Sequence, residues 1–381
     1  MITTKEKLRI AIIMKSEIIY NIIIFALVLL AIMCKALNPK HGKKVFLIFS
    51  FLTISLLSAF RYQRLEMSDF QINMLHMKRA YSVTFQEALK MDEAPLWILR
   101  WLLTKLSNNP QVFFIFTSLI IVGIYMLTIC KYSDDIYIST IMFYSIGGFF
   151  SSLNITSQYL AISICLLTIP FIIKRQPLRF FLCITIAILI HISAVVFIPL
   201  YFICSFYISK KNALLYIVGC FFAFFSFGYF INYFQTKLGL YNQYKEGYYG
   251  TNTANMINIV IPALVLLLYI WCVNTNKIEV REQNDNSSSD EYLIVDNLFL
   301  HMAIWHFICY LYAVTNMLII SRIGHYFNIC ILYLPTLLSR KKAKNNTIVK
   351  LLLYLLCIVY IVFMNYSNKL QPNPYELFWN I

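Results

Sequence analysis

The residues able to do chemistry in this sequence stand at the edges of apolar runs. Arg61 and Arg64 close one run, Arg322 follows the apolar stretch from Ala303 to Ile320, and His325 and Tyr326 come just after it. A guanidinium at that depth is either paired within the protein or turned to a ligand, and its planar fork suits carboxylate or phosphate oxygens. Arg61 and Arg64 also have a plain reading, as snorkelling side chains at a helix end. Asp69 and Glu93 are carboxylates that serve a site or simply favour a helix N-terminus. His191 lies in a short turn between two apolar runs, where an ionisable group is a functional hypothesis by default. Asn154 and Gln158 bracket another short turn, and their amides bind hydroxyls or satisfy helix ends.

The elements that must position these residues are membrane helices. The chain has 381 residues, 60% hydrophobic and 13% charged, against about 25% charged in a soluble domain, which excludes a soluble enzyme. A span takes roughly 20 apolar residues. Apolar runs between charged breaks place twelve spans: Ile18 to Met33, Val45 to Phe60, Gln111 to Cys130, Ile136 to Phe150, Tyr159 to Ile173, Phe180 to Ile190, Ser193 to Tyr207, Ala213 to Phe234, Met256 to Val273, Leu298 to Met317, Ile323 to Leu338 and Ile348 to Met364. The expected fold class is an all-α polytopic membrane protein, one integral membrane domain over 1–381. The first run reads as a true span, being long for a signal core and lacking a small-residue cleavage site.

Net charge is +15, from 32 Lys plus Arg against 17 Asp plus Glu. The basic residues sit in short clusters between spans, so they write topology and do not form a nucleic-acid-binding face. Lys35 to Lys44, Lys174 to Arg179, Lys210 to Lys211, Lys277 to Arg281 and Arg340 to Lys344 fall on one side if the spans alternate, provided the chain turns near His191. That side is cytoplasmic. The other side receives 61–110, the turn after Phe150, His191, the Tyr- and Gly-rich loop 235–255, Arg322 and the tail after Asn365. The basic start at Lys5, Lys7, Arg9 and Lys15 dissents.

The external segment 61–110 carries seven basic residues and reads as short surface helices. Ser68 and Gln71 have capping-box spacing and open a helix through Ala80, with Phe70, Met74 and Met77 on one face and Asp69, Asn73 and His76 on the other. Thr84 and Glu87 repeat the signal, and Pro95 starts a third piece to Leu106. The polar stretch 274–292 reads as a flexible cytoplasmic loop. Asp134 and Asp135 read as a solvated turn. His301 and His306 read as packed or locally hydrogen-bonded. Ten cysteines without a CxxC pair read as small buried hydrophobes. No HExxH, GxSxG, GxxxxGK[ST] or DxD occurs, so no metal or cofactor is expected.

In order along the chain, Phe60-Arg61, Ser68-Asp69, Glu93, Asn108-Pro-Gln-Val-Phe-Phe-Ile, Asn154-Ile-Thr-Ser-Gln158-Tyr-Leu-Ala, His191-Ile-Ser-Ala, Ser321-Arg322, Tyr326-Phe327 and Leu334-Pro335 resemble the EpsG/Wzy-type polysaccharide polymerases. The resemblance runs from about Phe60 to Leu338. It departs where the family usually has Gly before the loop Asp, here Ser68, and Arg before the Gln, here Ser157.

The resemblance implies a bacterial inner-membrane glycosyltransferase, GT-C-like in fold, that polymerises undecaprenyl-diphosphate-linked oligosaccharide repeats into O-antigen, capsule or exopolysaccharide at the periplasmic or outer face. Donor and acceptor are then both lipid-linked, and a flippase and a chain-length regulator are natural partners. Arg61, Arg64, Arg322, Asn154, Gln158, His325 and Tyr326 become substrate-binding candidates. His191, Asp69 and Glu93 become catalytic candidates, with His191 the favoured base. A flippase for the same lipid, a membrane O-acyltransferase and an O-antigen ligase are the alternatives.

Overall fold

A computed structural model describes residues 4–37, 39–63, 69–206, 254–282, 288–315, 318, 320–340, 346–367 and 376–377, with single positions between 208 and 233. The expected span Ala213 to Phe234, the loop 235–255 except its last two residues, Arg64 and Ser68 fall wholly or largely outside these residues. In chain order the elements begin α1 (Thr4–Ala36), α2 (Pro39–Ala59), β1 (Arg61–Tyr62), α3 (Asp69–Ala80), α4 (Phe85–Leu89), α5 (Ala94–Thr104) and α6 (Gln111–Tyr132). Then come α7 (Ile136–Ser145), α8 (Phe149–Asn154), α9 (Thr156–Leu167), α10 (Ile169–Ile173), α11 (Pro177–Ile190) and α12 (Pro199–Ile203). The series closes with α13 (Val260–Glu282), α14 (Ser288–Thr315), α15 (Ile320–Gly324), α16 (Ile329–Arg340), α17 (Asn346–Tyr366) and β2 (Glu376–Leu377).

Six helices among the described residues are long and apolar enough to cross a membrane: Ile18–Ala36, Lys40–Ala59, Gln111–Tyr132, Thr156–Ile173, Tyr292–Thr315 and Thr347–Tyr366. Five shorter apolar helices occupy five further expected spans. Three expectations are corrected. The run Ile136 to Phe150 breaks into α7 and α8 at Gly148, whose φ of 100° is a left-handed conformation that a side chain would strain. The run Ile323 to Leu338 breaks between α15 and α16. Much of 274–292 is helix, because α13 continues to Glu282 and α14 starts at Ser288.

The chain packs as two compact units. The first holds Met1–Ile169, Leu178–Val195 and Lys342–Ile381, and the second Pro170–Pro177 and Val196–Lys341. In the first unit α7 is buried at every residue, as a helix packed on all sides must be. On α1 the stripe Tyr20, Ile24, Leu27 and Ala31 is buried at helical spacing, while Ile22, Phe25 and Leu29 are exposed. On α17 Leu353, Cys357 and Ile361 are buried and Leu351, Leu355 and Val359 exposed. An apolar outer face is what lipid contact requires. Asp135 is no solvated turn: it caps α7 at the Ile138 amide and lies 3.3 Å from Lys350 Nζ and 3.9 Å from Lys35 Nζ. At the opposite end of this unit β2 pairs antiparallel with β1, Arg61 opposite Leu377.

The second unit packs α13, α15, α16 and α12 around α14. Tyr269 donates to the Cys330 carbonyl at 2.6 Å, and Arg340 reaches Asp296 at 3.0 Å. His301 Nε2 donates to the Phe206 carbonyl at 2.9 Å and its Nδ1 accepts from Tyr216 at 2.6 Å. His306 donates to the Gly324 carbonyl at 3.0 Å. Both histidines are thus buried and hydrogen-bonded, not locally but to groups 18 to 95 residues away in sequence. All ten cysteines are free, and seven are buried.

Candidate functional site

The segment 61–110 builds its candidate site from three short helices, of which α5 packs on α6 and α3 on α8. α4 has the expected reciprocal cap: the Glu87 amide donates to Thr84 Oγ1, and the Thr84 amide and hydroxyl donate to Glu87 at 2.7 and 2.8 Å. These bonds hold the Glu87 carboxyl below its usual pKa, so Glu87 is a cap. On α5 the buried residues Leu96, Trp97, Arg100 and Leu103 recur at helical spacing. Trp97 joins Ala80 and Ala88 in a small core with Val83, Met91 and Ile98 packed against it, and this core orients α5.

Arg100 is therefore carried inward. It is 2% exposed, lies over the rings of Trp97 at 5.2 Å and Phe113 at 5.3 Å, and donates from Nη2 to Asn73 Oδ1 at 2.8 Å. Ser157 donates to the same oxygen at 3.3 Å, so one amide joins α3, α5 and α9. Among the described residues Arg100 Nε and Nη1 have no hydrogen-bond partner, and neither does the buried Oδ1 of Asn154 three residues before Ser157. Asn73 overturns the expected division of α3, since Asn73 is buried with Phe70 and Met77 and Met74 is only half-buried. Its carbonyl oxygen binds inward groups and its amide nitrogen donates to the Asp69 carbonyl at 2.8 Å.

His76 stands one turn along α3 from Asn73, half-buried, with its ring 5.1 Å from Trp97. Burial first, then the charges of Arg100 and Arg79, lower its pKa to about 4, so the imidazole is neutral at neutral pH. Glu93 is the N-cap of α5, with a left-handed φ of 55° and no capping bond from its side chain. Its residue surface is exposed, yet the protein crowded round its carboxyl raises the pKa, with Arg100 opposing the rise. Arg100 is pulled down to about 10 by burial, against Glu93, and stays charged.

Arg61 is fully buried, and its fork serves the protein itself. Nε donates to the Leu153 carbonyl at 3.0 Å, Nη2 to Thr156 Oγ1 at 2.8 Å and Nη1 to Ser58, while the plane lies 5.0 Å from the Phe114 ring. Gln111 fixes the same corner by donating to the Ala59 carbonyl at 2.6 Å and the Arg61 carbonyl at 3.2 Å. The turn from Asn154 to Gln158 is thereby held by Arg61 at Leu153 and Thr156 and by Asn73 at Ser157. Gln158 is buried.

His191 falls in the break between α11 and the 3-10 turn Ile192–Phe197, half-buried, with Nδ1 2.7 Å from Ser193 Oγ. In the second unit Arg322 lies half-buried on α15, His325 half-buried after it and Tyr326 fully buried. The ring of His325 is 6.4 Å from that of Tyr310. Of the expected site residues, the first unit thus connects Arg61 with the Asn154 to Gln158 turn and brings Glu93 into the field of Arg100. Arg100 is not among the site residues expected from the sequence, and Asn73 and His76 are expected only on the polar face of α3. The signal was present for Arg100, a charge at the centre of the apolar stripe of an amphipathic helix. Among the described residues no group of three His, Cys, Asp or Glu could hold a metal ion.

Apolar helices with exposed apolar faces, a helical segment between two of the long ones and a buried polar junction beneath it define a polytopic α-helical membrane protein. The EpsG family model matches residues 44–377, nearly the whole chain, and the chain belongs to the EpsG family. Membership suggests a polysaccharide polymerase-type, glycosyltransferase role acting at a membrane. No curated protein and no solved structure matches the chain.

Proposed function

We propose that the protein polymerises undecaprenyl-diphosphate-linked oligosaccharide repeats into a surface polysaccharide at the outer face of the bacterial inner membrane. The observation that carries this reading is the polar junction of Asn73, Arg100 and Ser157 buried beneath the external helices. A lipid-diphosphate donor arrives from within the bilayer and needs no nucleotide-binding motif, so its site belongs at the outer ends of spans. In the reaction an acceptor hydroxyl oxygen bonds to the anomeric carbon of the donor sugar, the bond from that carbon to the diphosphate oxygen breaks, and undecaprenyl diphosphate leaves with the electron pair. A base takes the hydroxyl proton, and cationic donors stabilise the charge developing on the diphosphate.

His191 is our assignment for the base, with Ser193 orienting its ring, and Asp69 and Glu93 position the acceptor. Arg322 holds the donor diphosphate, with His325 and Tyr326 beside it in sequence. Asn154 and Gln158 contact sugar hydroxyls. Arg61 we assign to positioning, because its donors already hold the Asn154 to Gln158 turn. The test is purified protein in proteoliposomes supplied with lipid-linked repeats. Chains longer than one repeat, formed with release of undecaprenyl diphosphate, are expected. Repeats that cross the bilayer without being joined would make the protein a flippase.

A further inference from the structure

Among the buried side chains of the external segment, Arg100 stands out by what it lacks. The N–H on Nε and the two on Nη1 are sealed from water and meet no acceptor. Among the described residues no carboxylate pairs with it, although Glu93 is near enough to be felt electrostatically. A buried guanidinium without a counter-ion is strongly unfavourable, and each unmet donor adds to the penalty. Ring stacking on Trp97 and Phe113 orients the plane but satisfies none of those donors. The fold holds this group in place by the Trp97 core and the Asn73 amide while leaving its hydrogen-bonding capacity open.

We infer that Arg100 is an oxyanion subsite whose ligand is a diphosphate of the lipid-linked substrates. The inference rests on the proposed function, in which donor and acceptor each carry a diphosphate and two cationic subsites are needed. Donors on two separate nitrogens suit a group with several oxygens, as a diphosphate has, and a planar guanidinium is the side chain that meets it best. The half-buried His76 and Ser157 lie around the junction, so Arg100 is one side chain beneath the surface. The same chemistry is offered by free pyrophosphate, and the test must separate the two sources.

His76 supplies a reporter that a structural role for Arg100 would not move. An oxyanion on Arg100 cancels the field that helps depress the His76 pKa, so its midpoint rises from about 4 when the subsite fills. Full-length protein in lipid nanodiscs is titrated with undecaprenyl diphosphate in the disc, or with inorganic pyrophosphate in solution. His76 is followed by NMR and assigned with His76→Gln. Expected is a rise of the midpoint with the lipid, whether or not pyrophosphate also acts. In Arg100→Gln, lipid affinity falls at least about tenfold. Because Arg100→Gln removes an uncompensated buried charge, its melting temperature stays at or above that of the wild type. Arg100→Lys keeps the charge, loses the fork and binds more weakly than wild type.

A wild type that responds to neither probe, or to pyrophosphate alone, overturns the inference. So does an Arg100→Gln protein that melts lower and binds the lipid as the wild type does. If Arg100-dependent binding is seen but chains are not lengthened, the proposed function fails and the subsite stands. If chains lengthen normally in Arg100→Gln with binding unchanged, the subsite fails and the function stands.

Discussion

Two arginines thirty-nine positions apart in the segment 61–110 have opposite hydrogen-bond inventories. Arg61 meets acceptors from Ser58, Leu153 and Thr156, whereas among the described residues Arg100 meets only Asn73. Arg61→Lys keeps charge but cannot span three acceptors, so it should lose about 2–4 kcal/mol of stability, read as a lower melting temperature. Unchanged melting with abolished polymerisation would move Arg61 from positioning to substrate contact. Arg322→Lys is expected to act the other way, with normal abundance and polymerisation reduced at least about tenfold, since a donor-diphosphate ligand loses its fork; polymer length in cells reads it. His76 carries a pH prediction. Its folded pKa of about 4 lies below the unfolded 6.5, so the unfolded chain binds more protons between those values. Stability is full above pH 6.5 and falls as pH drops toward 4. His76→Gln should flatten that part of the melting-temperature profile, and an unaltered profile removes His76 as its source. Sequence reading reached Arg61 because it ends an apolar run. It passed over Arg100 because burial of a charge on an amphipathic helix depends on which neighbours close over it, which here are Trp97 and Phe113.

Helix existence was readable from hydropathy and caps, while helix interruption depended on backbone conformation that hydropathy does not carry. Thr84 and Glu87 gave the start of α4, and Asp69 to Ala80 came out as α3. Gly148 broke an apolar run that looked continuous, and Asn73 took the buried position assigned to Met74 because it has two partners there. Close packing of α1 on α2 sets the element-scale prediction. A Cβ on Gly42 would lie 2.0 Å from the Cys34 carbonyl oxygen, whereas one on Gly123 would meet only Phe51 at 3.7 Å. Gly42→Ala must push the backbones apart and should destabilise by about 1–3 kcal/mol. Gly123→Ala, inside α6, should be neutral or stabilising by up to about 1 kcal/mol, from helix propensity. Thermal unfolding of the pair in one detergent checks this, and equal melting of the two variants would sink the packing argument.

At the scale of the whole molecule the question is which ends of the helices share a side. The basic clusters assign Lys35 to Lys44 and the start of α17 to the cytoplasm, and the external segment and the tail to the opposite side. Two contacts in the first unit agree with that grouping without using the charge rule. Asp135, at the start of α7, lies beside Lys35 at the end of α1 and Lys350 at the start of α17. By its end at Tyr366 the 21-residue α17 has crossed to the far end, where β2 pairs with β1 at Arg61 and Tyr62. The tail and the external segment therefore share a side, and an odd number of crossings separates the tail from Asp135. We predict that this shared side faces outward, because the opposite end gathers the clustered lysines. Single cysteines at Ser288→Cys and Asn373→Cys, read against the background of the ten native cysteines, are labelled with a membrane-impermeant maleimide on intact cells and again after lysis. Asn373→Cys should label on intact cells and Ser288→Cys only after lysis. Labelling of both from one side would break the alternation of spans between α14 and the tail, and with it the placement of Arg322 on the side where lipid-linked substrate is displayed.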